Sequence, residues 1–286
     1  MGNIVGAAIV SHHPGLFQNE EFRIAAGDGA DSDLVAGYDR VRKMIDEVEP
    51  NVLVIFDSHW HTTGSHLVDG GEHYSGVYTS SSMPWYLNGL RYDYDGAPEL
   101  AKICEEVALE RNVLARNATE PGLPRHYGTL NLVNKLRKQE RVLTVGNCQT
   151  AKTHHFMAMG EVVGEAIRRS DSRAVLLASG ALSHKFNDLD WAQVNPRIYH
   201  QDNISDPEYI VSDQNVIGMF ETGRHDLVLD GFDEYRAIPW EGLGGHYLQM
   251  IAALGGKECR ARGTRLSDYE NARGTGNIHL WFEVAS

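Results

Sequence analysis

The segment Asn51–His61, NVLVIFDSHWH, constrains the fold more than any other part of the chain. Five consecutive apolar residues, Val52–Phe56, stop abruptly at Asp57-Ser58-His59-Trp60-His61. A β-branched and aromatic run of this length suits a strand buried on both faces of a sheet. Open α/β sheets bind their ligands beyond the carboxyl ends of such strands. Side chains two apart on a strand face the same way, so the spacing predicts that Asp57, His59 and His61 converge if the chain stays extended. The strand end reads as the floor of a metal site.

Other segments repeat the pattern. Ile4–Val10 reads as a first buried strand, broken at once by Pro14 and Gly15, which leaves His12 at a strand end. Gln18–Ser32, rich in Gly and acidic residues, reads as a loop. Ser32 or Asp33 caps a helix running to about Glu49, with Leu34, Tyr38, Val41, Ile45 and Val48 at helical spacing. This β–α–β order predicts a right-handed crossover and parallel pairing of the first two strands. Within His66–Asp95, the alternating pieces His73–Thr79 and Leu90–Tyr94 predict a hairpin-like excursion, with Trp85, Tyr86 and Tyr92 read first as packing residues and second as contacts to a bound ring. Helices are predicted over Ala97–Arg111, after His126-Tyr127-Gly128-Thr129 to about Lys138, over Phe156–Arg168, Asp213–Glu221 and Gly244–Leu254.

Val142–Gly146 and Ala174–Ala178 read as the third and fourth buried strands, and the fourth runs into Ser179-Gly180-Ala181-Leu182-Ser183-His184. The polar Phe186–Tyr209 segment reads as irregular or as a lid, and Gly276–Val284 as a closing strand. There is no repeat, low-complexity linker or composition break. The expectation is a single α/β domain over residues 1–286, with a central mostly parallel or mixed sheet flanked by helices and an active site at the strand carboxyl ends.

Composition narrows the partners. The 286 residues are 42% apolar and 23% charged, as in ordinary globular proteins. A net charge of −13 disfavours nucleic acid and anionic membrane surfaces. A small organic substrate fits better, and an anionic one would need a local basic pocket. Cys104, Cys148 and Cys259 are widely spaced with no CxxC, which points to reduced thiols and a cytoplasmic setting. The opening apolar run has no basic residue before it and is too short for a signal peptide or a membrane span.

Three of the four buried strands thus lead into a histidine: His12, His59 and His184. Glu241, in Pro239-Trp240-Glu241-Gly242, offers a carboxylate before a glycine-rich helix start. Taken singly, each has an ordinary structural explanation; together at strand ends they point to chemistry. Two imidazoles and one carboxylate leave metal positions open, as suits non-haem Fe(II) acting on O₂ and a chelating substrate. The same set also serves a zinc hydrolase, with a metal-bound water as nucleophile.

Several stretches, in order along the chain, resemble the type III extradiol ring-cleavage dioxygenases, the superfamily of the protocatechuate 4,5-dioxygenase β-subunit. They are Ser11-His12-His13-Pro14, Phe56-Asp57-Ser58-His59-Trp60, Gly76-Val77-Tyr78-Thr79-Ser80, Tyr127-Gly128-Thr129-Leu130, Leu177–His184, Glu241-Gly242 and Gly274-Thr275-Gly276. Within the superfamily, the chain looks most like the 3,4-dihydroxyphenylacetate 2,3-dioxygenase-like members. The resemblance implies an Fe(II) cofactor held by His12, His59 and Glu241, with His184 as the acid/base. It implies that Tyr127 or His126 touches substrate and that Asp57 orients His59, while a plain turn or cap role suits Asp57 equally well. It further implies a small aromatic diol and O₂ as substrates, extradiol cleavage in aromatic catabolism, and a homo-oligomer. The resemblance favours a single-ring catechol with a side chain and leaves a dihydroxylated N-heteroaromatic ring as a further candidate.

Overall fold

A computed structural model describes residues 1–204, 206–232 and 238–284. The chain opens with β1 (Asn3–Val10), α1 (Glu20–Ala26), α2 (Asp33–Val48), β2 (Val52–Thr62) and β3 (His66–Asp69). A hairpin of β4 (His73–Tyr78) and β5 (Leu90–Asp95) follows, then α3 (Pro98–Glu110), β6 (Ala115–Ala118) and α4 (Tyr127–Leu136). Next come β7 (Arg141–Cys148), α5 (Thr153–Arg169), β8 (Arg173–Ser179), α6 (Pro207–Glu221), α7 (His225–Asp230) and α8 (Gly245–Ala253). The last strands are β9 (Gly263–Arg265), β10 (Glu270–Ala272), β11 (Thr275–Asn277) and β12 (Leu280–Phe282).

Eight strands make one mixed sheet in the order β6-β3-β7-β2-β8-β1-β12-β9. Its centre, β7-β2-β8-β1, is parallel, and antiparallel pairs flank it on both sides. The predicted α/β class with a mixed sheet is what the chain adopts. Alternation along the central strands explains why they are apolar throughout. Val52, Val54 and Phe56 of β2 pack into one layer with residues of α3, α5 and α8. Leu53 and Ile55 pack into the other with residues of α2 and α4. No helix among the described residues is long and apolar enough to cross a membrane.

Several expectations need correction. β1 and β2 run parallel but do not pair; β8 lies between them, bonded to both. Residues 20–26, expected to be loop, form α1, because Asn19 caps it by accepting from the Phe22 N–H and Glu20 and Glu21 occupy its first turn. Helix α6 begins at Pro207 rather than Asp213: Asp206 caps it and proline takes the first turn. The expected closing strand is two strands. β11 pairs with β10, and β12 joins the main sheet, with Ile278 and His279 between them. The segment after His184 is irregular, with a short 3-10 turn at Gln201–Asn203, as read from its polarity. Ser205 within it lies outside the described residues. The four-residue strands β3 and β6 and helix α7 have no counterpart in the sequence reading.

Candidate metal centre

His12 follows β1, and His59 lies in the last part of β2. Glu241 opens a short 3-10 turn, Glu241–Gly244, immediately before α8. The three come together. His12 Nε2 stands 3.0 Å and His59 Nε2 2.9 Å from Glu241 Oε1. The two imidazoles meet edge to face, with ring centroids 4.8 Å apart. One ligand atom from each of the three residues lies within 4.8 Å of the others.

Local structure aims each side chain. The His12 Nδ1 lies 2.8 Å from Ser179 Oγ, at the end of β8. That hydroxyl donates its one proton to the Gly128 carbonyl at 2.6 Å, so it can only accept from His12. Nδ1 therefore carries a proton, and Nε2 is the nitrogen that faces Glu241 and, once unprotonated, is available to a metal ion. Glu241 Oε1 accepts from Ser58 Oγ at 2.9 Å, and Oε2 accepts from the Ala181 backbone N–H. Gly242, Leu243 and Gly244 have φ of 55°, 59° and 71°. A side chain at 242 would press on Ser58 and Asn147, and one at 244 on Phe232, so the glycines permit the close approach that delivers Glu241. Leu243, without that freedom, holds a sparsely populated conformation beside the site.

Asp57 does not orient the His59 ring. Its Oδ1 accepts from the backbone N–H groups of His59 (2.7 Å) and Trp60 (3.1 Å), and its Oδ2 from Thr129 Oγ1 (2.6 Å). It stabilises a bulge, visible as a register shift between Phe56 and His61 against β7. The bulge ends the two-residue alternation. His61 consequently turns away to Gln149, and the predicted convergence of Asp57, His59 and His61 does not occur.

A cavity of about 420 Å³ opens over the three side chains and is also lined by Tyr127 and His184. Tyr127 Oη lies 2.7 Å from His59 Nε2. His126, the alternative to Tyr127, instead borders a small recess beside Asp57 and Trp60 and does not line the main cavity. Trp85 and Tyr86, read first as packing and second as ring contacts, form part of the cavity wall. His184 is fixed by its backbone: its N–H donates to the Pro239 carbonyl at 2.6 Å and it bridges to Thr275 of β11. The preceding Ser183 donates through Oγ to buried Asp213 at 2.7 Å, as does Tyr269 at 2.6 Å.

Burial opposes a charge on Glu241, yet His12 and His59 hold its carboxylate well below the usual range. Burial works against protonation of His12, and Glu241 more than offsets it. His184 differs: burial dominates and keeps it below 6.5, so it is neutral at neutral pH. Burial, with Glu241 and Asp57 nearby, raises the Tyr127 hydroxyl, which stays protonated. Two imidazole nitrogens and a carboxylate oxygen at the floor of a cavity, with no fourth His, Cys, Asp or Glu in the group among the described residues, would suit a catalytic divalent ion better than a closed structural one.

The chain matches the profile of the family described as the catalytic LigB subunit of aromatic ring-opening dioxygenase over residues 6–282. It belongs to that family. The matched span includes every residue of the site, and the LigB family is the extradiol ring-cleaving class that the sequence motifs resembled. Among curated relatives, a 3,4-dihydroxyphenylacetate 2,3-dioxygenase of Escherichia coli is 28% identical over 202 residues, 70% of this chain and 72% of that protein. A 2-aminophenol 1,6-dioxygenase beta subunit of a Pseudomonas species is 30% identical over 197 residues, 64% of this chain and 63% of the relative. An uncharacterized protein of Escherichia coli shares the fold, with a TM-score of 0.63 at 15% identity, over 97% of this chain and 99% of that one.

Within this LigB chain the supporting groups Ser58, Ser179 and the Ala181 N–H were not singled out from sequence. Ser179 had one signal, its place at the end of a buried strand that also ends beside two other functional strand ends. Ser179→Ala should lower metal affinity by about 10- to 100-fold, as loss of a group that orients a ligand does. Chelator competition measures this, and unchanged affinity would mean that His12 keeps its tautomer without the hydroxyl.

Proposed function

We propose that the chain is one catalytic domain that opens a catechol-type ring by extradiol cleavage, adding both atoms of O₂, with Fe(II) held by His12, His59 and Glu241. The observation that carries this reading is the convergence of those three side chains, from distant parts of the chain, at the floor of a cavity that also holds a neutral histidine. Family membership supplies the reaction class. The relatives named for 3,4-dihydroxyphenylacetate and 2-aminophenol support a single ring with two adjacent heteroatom substituents. The cavity volume is in the range that takes one ring with a short side chain.

Ferrous iron, when bound, supplies a chelation point for both ring substituents and the electrons that activate O₂. The protein's residues handle the protons and the geometry. His184, neutral because it is buried, accepts a proton from a ring hydroxyl and later returns it. Tyr127 keeps its proton and can donate a hydrogen bond to a ring oxygen once His59 Nε2 is engaged elsewhere. Trp85 and Tyr86 give the ring an aromatic wall. A place in aromatic catabolism and a homo-oligomeric state belong to the same reading, as does a cytoplasmic setting, supported by three buried, free cysteines.

Protein loaded anaerobically with Fe(II), Mn(II) or Zn(II) is mixed with a panel of catechols, 2-aminophenol and dihydroxypyridines before air is admitted, and separately with a panel of aryl esters and amides. Yellow ring-fission product from the Fe(II) form supports the proposal. Ester or amide hydrolysis by the Zn(II) form, with the Fe(II) form inert, would replace it with a zinc hydrolase.

A further inference from the structure

Arg273 is the one lysine or arginine lining the metal-site cavity among the described residues. It is exposed and makes no hydrogen bond or ion pair with any of them, although Asp188 lines the same cavity. Its backbone explains how it reaches that position. Arg273 and Gly274 are the two central residues of the β10–β11 hairpin, with Ala272 opposite Thr275. Their φ values are 47° and 89°. A two-residue hairpin turn with both φ positive favours Asn-Gly or Asp-Gly. Arginine gains nothing from this conformation, and a strained non-glycine residue beside a reaction site is a reason to look for function.

The hairpin is also tied to the catalytic segment. Lys185 N–H donates to the Gly274 carbonyl at 2.9 Å, Gly276 N–H to the Ser183 carbonyl at 2.8 Å, and Thr275 bridges to His184. The Arg273 backbone is therefore fixed relative to His184. Its charge is felt at the cavity wall, where it opposes part of the rise that burial imposes on the Tyr86 hydroxyl. The chain as a whole carries −13, so an anionic substrate entering this cavity meets a repulsive field unless a local cation offsets it.

Building on the ring-cleavage reading, we propose that Arg273 is the anion anchor of the pocket and that the preferred substrate ring carries a carboxylate substituent. The guanidinium has a free fork of donors for a carboxylate. With the two ring heteroatoms directed to the metal floor, the anionic group lies toward the hairpin. Arg273 then sets which ring is taken and in which orientation, without touching the reacting atoms.

The test separates binding from turnover. Metal-loaded protein is titrated calorimetrically, without O₂, with 4-hydroxyphenylacetate and with uncharged 4-methylphenol. Ring opening is measured separately on 3,4-dihydroxyphenylacetate and 4-methylcatechol. The wild type should bind the anionic phenol about 10-fold or more tightly than the neutral one, with the margin shrinking as salt rises. Arg273→Asn places a residue suited to the turn and should fold at least as stably, yet lose that margin in both binding and kcat/KM. Arg273→Glu should shift preference toward the cationic phenol tyramine.

A wild type that does not favour the anion, or an Arg273→Asn variant that keeps the full margin, overturns the proposal. Anion preference that depends on Arg273, with no diol opened, would uphold the anchor while removing the ring-cleavage reading. Diols opened without anion preference would remove only the anchor.

Discussion

Glu241→Ala should leave a folded protein that retains no stoichiometric metal and opens no ring. Glu241 is the one charged ligand of the three, and its Oε1 is the atom that both imidazoles face. Without it, Ser58 Oγ and the Ala181 N–H lose their acceptor, and two histidines remain side by side without a counter-charge. Loss of a merely supporting partner costs about 10- to 100-fold in metal affinity, so loss of the ligand itself should exceed that range. Glu241→Gln is the matched control, since it keeps the shape and removes the charge. Metal analysis after dialysis and a thermal melt together check the prediction. A Glu241→Ala protein with full metal content would remove Glu241 from the coordination set.

His184→Phe should behave in the opposite way. Metal content and ring binding are retained, while kcat falls by about 10²- to 10⁴-fold, the usual worth of a positioned acid or base. His184 stands outside the three-ligand group and is held by backbone bonds to Pro239 and Thr275, so an aromatic replacement beside Phe186 leaves the segment in place. The pH profile adds a second signature. Burial holds His184 below 6.5, so it is unprotonated, and competent as a base, at neutral pH. Activity of the wild type should decline as pH falls through that lowered value, because protonated His184 cannot accept a proton. The variant should lack this acidic limb. An iron-loaded His184→Phe enzyme with wild-type kcat would exclude His184 from proton transfer.

Much of the site is legible in the chain because it sits at the ends of strands that announce themselves. A run such as Val52–Phe56 has no other comfortable place than a sheet centre, and the polar residues that follow it must then lie at the ligand-binding edge. The Gly242–Gly245 run likewise signals a tight approach at Glu241. Strand order is a different matter. Nothing local in β1 or β2 encodes that β8 intervenes, because every central strand is apolar on both faces and can pair with any other.

Asp57, His59 and His61 fail to converge for a related reason. Period-two reasoning holds only while a strand remains regular, and β2 bulges just where its chemistry begins. Ser58 and Ser179 had no sequence signature of their own, since a serine hydroxyl next to a histidine is common and gains meaning only from what lies opposite in space. Arg273 was invisible for the same reason: its importance comes from the hairpin that ties it to His184.

The most direct test of the central claim is isotopic. Iron-loaded protein is allowed to turn over a catechol in ¹⁸O₂, and the ring-opened product is analysed by mass spectrometry under conditions that limit exchange with water. The account predicts two labelled oxygen atoms in each product molecule and none without the metal. Product whose new oxygen comes only from water would contradict it and return the His12, His59 and Glu241 centre to hydrolytic chemistry.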